Sequence, residues 1–594
     1  MVEIETHDYD VLVIGAGGAG LRAAVEASAL GARTGLVCKS LLGKAHTVMA
    51  EGGIAAAMGN VYSEDNWQVH FRDTMRGGKM LNNWRMAQLH AQEAPDRVRE
   101  LEEWGALFDR TEDGRILQRD FGGHRYARLA HVGDRTGLEM IRTLQQHAVH
   151  RGMDVYQECT INHLTKDGDR ISGAVGYWRE SGRMVKFRAK AIILATGGLG
   201  KLFAITSNSW EGTGDGHSLA LQAGADMIDM EFVQFHPTGM VWPPSVRGIL
   251  VTEGVRGDGG TLKNTNGERF MFNYIPPMFA AETADNEAEA DAWYDDRTKR
   301  RTPDLLPRDE VARAIHAEVR AGRGTPHGGV FLDIASRRSA DYIARRLPSM
   351  HHQFLQLAGV DITKEPMEVG PTAHYVMGGV RVDAETAATS VPGLFAAGEV
   401  AGGMHGSNRL GGNSLSDLVV FGKRAGEGAA QYALGLGDHP KVDDAEVEAR
   451  VAHILKPFEP GTENPYTLHK ELQDTMQVNV GIIRNEADMR TQLTKIAELK
   501  ERTTRLQVEG NVQYNPGWHL ALDLQHMVLL AEAMTLAAIE RKESRGGHTR
   551  DDFPGPSAEF GKVNVVVRQD SSGLSITQEP LPEMPGDLKA LFEE

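Results

Sequence analysis

The stretch from Tyr9 to Ala32 constrains the fold more than any other. A β-rich apolar run, YDVLVI (Tyr9–Ile14), leads into GAGGAG (Gly15–Gly20) and then into LRAAVEASALGA, a run of helix formers. Strand, glycine turn and helix in that order open a parallel dinucleotide-binding sheet. Gly15, Gly17 and Gly20 fall at the G-x-G-x-x-G spacing, with Ala16, Gly18 and Ala19 between them. Gly15 permits the tight turn, Gly17 lets backbone approach a pyrophosphate, and Gly20 lets helix pack on strand. The helix N-terminus adds N–H donors and a positive dipole. The bare pattern also fits a structural glycine turn; the flanking strand and helix favour the dinucleotide.

One rule fails. The second strand, RTGLVCKS, should close on Asp or Glu to hold the ribose hydroxyls, and it closes on Lys39. Another way of holding the cofactor is therefore expected. The stretch GKAHTVMAEGGIAA, residues 43–56, follows directly and sets His46 among small residues. On its own residues, His46 reads as a core histidine satisfied by a carbonyl.

Two further strand-and-glycine segments, RAKAIILATGGLG (Arg188–Gly200) and VPGLFAAGEVAGG (Val391–Gly403), lie far apart. One sheet built from both implies an insertion between them, spanning roughly Phe235 to Val369. Within it, residues 281–301 run acidic and then basic and read as a solvated surface loop. After about residue 436 the composition turns helical. Leu520, Leu524, Met527, Ala531, Met534 and Ala538 recur at spacings of four and three, the core face of a long helix. KVNVVVRQD in the tail reads as a strand. A length of 594 residues suggests about four domains. The net charge of −17 argues against a general nucleic-acid binder. The two cysteines, Cys38 and Cys159, form no CxxC, so no metal site and no iron–sulfur ligand set is expected, and a reducing compartment fits. No run of 18 or more apolar residues is present, from which no membrane span is expected.

GAGGAG, AHTVMAEGG, QFHPTG, TEGVRGDGG, LPRDEVARAI, PTAHYVMGGV, AAGEVAGGMHGSNRLGGNSLSDLVVFG and ESRGGHTRDDFP occur in this order. Together they resemble the flavoprotein subunit of succinate dehydrogenase and fumarate reductase, from Tyr9 to Pro554. The resemblance implies an α/β fold. A Rossmann-like FAD-binding domain (1–235 and 370–435) carries an inserted α+β capping domain (236–369), followed by a helical domain (436–545) and a small C-terminal domain (546–594).

The resemblance also implies covalent FAD, with His46 bonded to the flavin 8α carbon and Thr47, Gly52 and Gly53 beside it. Gly15, Ala16, Gly17, Gly18, Ala19 and Gly20 would cradle the pyrophosphate, and Lys39 and Ser40 would lie near the adenosine. Asp215 and Glu399 match FAD-contacting acids, and Ser414 and Leu415 would present N–H groups to the flavin carbonyl edge. His236 and Thr252 match contacts to one carboxylate of succinate, and His374 and Arg409 contacts to the other. Arginine suits this, since its fork binds both oxygens. Phe121 would supply an apolar wall. Arg308 matches the proton-transferring arginine, and Glu253 and Arg256 its relay to solvent; the plain alternative for Arg308 is a helix-start residue paired with Asp309 or Glu310.

The activity so implied is oxidation of succinate to fumarate, or the reverse. Electrons would pass to a separate iron–sulfur subunit, then through a membrane anchor to quinone. The complex would sit on the cytoplasmic face of the plasma membrane, since no export signal is visible. L-Aspartate oxidase shares the fold but commonly lacks the tethering histidine. A redox-silent FAD-binding scaffold would not need the Thr252, Arg308 and Arg409 set.

Overall fold

A computed structural model describes residues 3–593. At its centre is a seven-stranded sheet. From one edge, Asp154–Tyr156, Thr34–Val37, Ile4–Ile14 and Met184–Leu194 run parallel. Met184–Leu194 is a shared strand. Its first half pairs antiparallel with Arg170–Trp178, which continues to Cys159–Asp167. Its last residues pair parallel with Leu394–Ala396, the strand that returns after the long insertion. The nucleotide turn forms because its glycines leave no alternative. Gly15 has φ +111°, and a Cβ there would lie 2.2 Å from the Ala195 carbonyl oxygen. A Cβ on Gly20 would lie 1.8 Å from the Gly15 carbonyl oxygen, so the Gly18–Ala29 helix can pack this closely only with glycine there.

A second, antiparallel sheet holds Val233–Met240, Met367–Val376, Val330–Asp333 and Thr261–Lys263 in that order, around its own apolar core that includes Met240, Leu262, Ile315 and Val369. The Arg308–Arg320 helix packs on its first strand. The 281–301 segment is only in part the solvated loop that its composition suggests: 281–282, 285–288 and 295–299 are exposed. It contains the short helix Glu287–Ala292, and Ala284, Ala290 and Trp293 are buried. Its charges pair with their surroundings, as Asp291 does with the buried Arg269 at 2.9 Å. A composition average conceals three apolar anchors among so many charges.

The helices Pro465–Asn479, Glu486–Arg502 and Pro516–Glu540 pack together, and their apolar residues join the core of the parallel sheet. Of the expected stripe on the last helix, Leu524, Met527, Ala531, Met534 and Ala538 are fully buried and Leu520 is half-buried. This helix is long and apolar enough to cross a bilayer, with a mean hydropathy of 1.4 in its most apolar window, yet 72% of that window is buried inside the protein. The tail strand Val563–Asp570 is present and forms a hairpin with Gly573–Pro580. Beyond it, Leu588, Leu591 and Phe592 pack on Phe71.

Candidate active site

One continuous cavity runs from the nucleotide turn to the seam between the two sheets. Of the residues singled out from sequence, all but two line it. The exceptions are Gly20, consumed by helix packing, and Arg256, which stands behind Glu253.

At the nucleotide end, a Cβ on Gly17 would meet nothing closer than 3.3 Å, so glycine there serves open space rather than packing. No side chain caps the helix at Gly17; Gly18 N–H donates to the Thr47 hydroxyl at 3.2 Å. Lys39, which stands where a ribose acid was expected, is paired by acids from elsewhere in the chain. Asp215 opens the Asp215–Ala223 helix and accepts from Lys39 Nζ at 2.8 Å, while Asp523 stands 3.6 Å from the same ammonium. Burial raises the Asp215 carboxyl, but Lys39 outweighs it and holds it below its ordinary range.

His46 begins a single 3₁₀ turn, His46–Met49. Its Nδ1 accepts from Ser209 N–H at 3.4 Å, which leaves Nε2 available. Burial pulls its pKa down to about 4, so the ring is neutral at pH 7. Opposite, Gly412 (φ +83°) turns the chain into the Asn413–Gly435 helix, whose first turn brings Ser414 and Leu415 to the cavity. Glu399 accepts from Val376 N–H at 3.1 Å, and burial raises its carboxyl to about 7.

At the seam, two buried guanidiniums converge on one amide oxygen. Arg308 Nη1 and Arg409 Nη2 donate to Gln234 Oε1 at 3.2 and 2.9 Å. Arg308 Nε also donates to Glu253 at 2.9 Å, so its partner is not Asp309 or Glu310. Those acids pair with Arg313 instead. Arg409 is different. Its Nη1 donates to the Ser414 hydroxyl at 3.0 Å and it lies over the Tyr375 ring, but Nε has no partner and no carboxylate pairs with it among the described residues. Burial lowers its pKa to about 10, still cationic at pH 7. Burial raises the Glu253 carboxyl, but the Arg308 and Arg256 cations outweigh it and bring it down to about 2. Gly122 N–H donates to the other Glu253 oxygen at 2.7 Å.

His374 Nδ1 lies 2.7 Å from the Ser207 hydroxyl, and its ring meets His236 edge-on at 5.2 Å. Burial holds both imidazoles well below their usual pKa. Thr252 lines the same space, its hydroxyl accepting from Gly254 N–H at 3.3 Å. Phe121 forms the wall: a Cβ on Gly52 or Gly411 would come within 2.7 or 2.5 Å of its ring.

A family model for the FAD binding domain matches residues 10–415, and one for the fumarate reductase flavoprotein C-terminal region matches residues 469–585. One subunit of the fumarate reductase (CoM/CoB) of Methanothermobacter marburgensis is 44% identical over 96% of this chain and 98% of its own length. The succinate dehydrogenase flavoprotein subunit of Coxiella burnetii is 37% identical over 93% of each chain. Among solved structures, Mycobacterium smegmatis Sdh1 in complex with UQ1 superposes with a TM-score of 0.87 at 59% identity, covering 99% of this chain and 97% of that one.

The chain belongs to the succinate dehydrogenase/fumarate reductase flavoprotein family.

As an FAD-binding flavoprotein it has a cavity that fits the cofactor. Open space at Gly17, a helix N-terminus whose N-cap glycine carries no side chain, and a first helical turn at the far end suit pyrophosphate and flavin. The unpartnered Arg409 Nε and the unpartnered Oε2 of Glu51 are polar groups that a cofactor or substrate can satisfy. Several members of the flavoprotein's site escape a reading of the sequence. Gln234 sits two residues before His236 in QFHPTG and joins the two arginines. Glu51, in AEGG, is a carboxyl that burial and the Asp134 charge push well above its usual range. Its loop is pinned by Arg119, which donates to the Glu51 and Gly52 carbonyls at 2.7 Å each. The signal for Gln234 and Glu51 was their place inside motifs that already carried assigned residues.

Proposed function

We propose that this flavoprotein oxidises succinate to fumarate with FAD tethered covalently at His46. The observation that carries the reading is the unpaired Arg409 beside the Arg308–Glu253 pair. A buried cation without a carboxylate partner is costly unless an anion completes it. A dicarboxylate is such an anion, with His374 and Arg409 at one end and His236 and Thr252 at the other.

The chemistry that FAD supplies when bound is two-electron acceptance as hydride. The chain's own residues do the rest. Arg409 and His374 fix one carboxylate, and Phe121 keeps water from the substrate methylenes. Arg308, held by Glu253 and Gln234, gives its own proton to Glu253 as it takes up the one from the neighbouring carbon, and Glu253 hands a proton to Arg256 as Arg256 releases one of its own toward solvent. The 3.9 Å from Arg256 to Glu253 supports that order. An imidazole alkylated at Nε2 keeps only the Nδ1 lone pair, and Ser209 N–H is placed to donate to it, which supports the tether.

We further infer the division into an FAD-binding unit (1–235 and 370–435), a cap (236–369), a helical unit and a C-terminal unit. An iron–sulfur subunit would carry electrons onward to a membrane anchor, with the assembly on the cytoplasmic face of the membrane. The 44% identity to a fumarate reductase subunit favours the reverse reaction as a second reading, which needs the same residues.

The test is a dichlorophenolindophenol assay of the assembled enzyme with succinate and, separately, aspartate. Turnover with succinate alone is expected; turnover with aspartate alone overturns the reading. Acid-precipitated wild type should keep flavin fluorescence and His46→Ser should lose it; equal loss from both sinks the tether.

A further inference from the structure

A cavity of about 1280 Å³ lies behind the catalytic pocket. The wall between them is thin. Phe121 and Arg308 face the catalytic pocket, while their near neighbours Asp120, Gly123 and Pro307 face the second cavity. At Gly122 the chain passes so close that a Cβ would lie 3.0 Å from the Leu305 carbonyl oxygen. The opposite wall is the 281–301 segment, to which the proposed activity gives no role.

Nine basic and five acidic side chains line this second cavity, a net positive lining in a chain of net charge −17. Arg297 and Arg301 share a single carboxylate, Asp120, at 3.7 Å each. Arg76 and Arg125 also line the space, and neither forms an ion pair among the described residues. Arg301 Nη1 donates to the carbonyls of Phe121 and His124, at 3.4 and 3.1 Å. The cation cluster is thus hung on the segment that carries Phe121 into the substrate site. Gly122 and Gly123 lie within that segment, Gly123 at φ +82°, where a backbone change costs least.

We propose that this cavity is an anion vestibule. It gathers small dicarboxylates and passes them to the catalytic pocket between Phe121–Gly123 and Leu305–Pro307. The proposal rests on the dicarboxylate reading of that pocket. A cleft lined by cations focuses its field and raises the local concentration of a dianion. At low salt this field reaches across the cavity; at high salt it is screened within a few ångströms.

The assembled holoenzyme provides the test. Malonate association is followed by stopped-flow through its effect on flavin absorbance, between about 10 and 300 mM salt. In the Arg125→Glu/Arg297→Glu variant the association rate should fall roughly tenfold at low salt, show a shallower salt dependence and approach wild type at high salt. A control of equal charge change, Arg490→Glu/Arg505→Glu on the exposed side of the helical region, should follow wild type. A second arm asks about the route itself. Both cysteines of this chain are buried, so Thr298→Cys adds an exposed thiol on the vestibule wall, and its labelling with a bulky maleimide is read against identically treated wild type. Labelling should slow malonate entry, and entry at the unlabelled rate overturns the proposal, as do rates and salt slopes equal to wild type in the charge variant. If wild type itself binds no malonate, the dicarboxylate reading fails and the vestibule fails with it. Normal wild-type binding with unaltered variants removes the vestibule alone.

Discussion

Arg308 and Arg409 enter the catalytic pocket from a helix and from a loop and meet at the same oxygen of Gln234, yet their surroundings differ in one respect. Arg308 opens the helix that packs on the antiparallel sheet and is paired with the ionised Glu253. Arg409 lies on the nucleotide-binding side, among Gly411, Gly412 and Ser414, and carries its charge against a hydroxyl, an amide and an aromatic face. A paired cation has somewhere to send a proton. An unpaired one attracts an anion and holds it. On the proposed reading, the contrast gives proton movement to one side and substrate retention to the other, although the two residues are chemically identical.

The sharpest way to break this comparison is Arg308→Lys. Lysine keeps the charge but not the planar fork that reaches Glu253 and Gln234 together. The expected result is a fall in kcat of about 10²–10⁴-fold with KM nearly unchanged, read in a steady-state dye assay. A near-normal kcat in that variant would leave Arg308 as a clamp only. Arg409→Leu should instead weaken succinate and malonate binding by about 2–5 kcal/mol, measured by titration, with FAD content normal. Unchanged titrations would make Arg409 structural. Gln234→Leu removes the acceptor shared by both and should cost about 1–3 kcal/mol, divided between kcat and KM. An effect on KM alone would show that Gln234 serves Arg409 and not Arg308.

The smallest expected effect is one of pH. His236 and His374 are held neutral by burial, so succinate KM should show no histidine inflection between about pH 6.5 and 8. An inflection abolished by His374→Gln would put a charged imidazole in the clamp. The same depression has a stability consequence. His217 is held by burial at about 4 and His124 at about 3. The unfolded chain takes up protons at these histidines near pH 6.5, the folded chain only well below. Their contribution is therefore fully present above about pH 6.5 and is lost as pH falls toward the folded values, by about 1.4 kcal/mol per unit for each. Tm measured from pH 7 downward should decline accordingly; a flat profile to about pH 5 contradicts it.

The sequence by itself determined the features that depend on short spacing. Gly15 and Gly20 dictate a tight turn because a side chain at either would strike backbone. The stripe from Leu520 to Ala538 dictates a buried helix through its period, and the ordered motifs identify the family. It could not determine which charges find each other. Lys39 in place of an acid looked like a defect, and it is answered by Asp215, 176 residues away. Arg308 looked able to pair with its own neighbours and pairs with Glu253, 55 residues earlier. Residues 281–301 read as a solvated loop and, besides their exposed stretches, wall a cavity. The physical reason is common to all three. Periodicity and steric rules act within a few residues and leave a pattern, whereas an ion pair across the chain is chosen by packing of distant elements and leaves none.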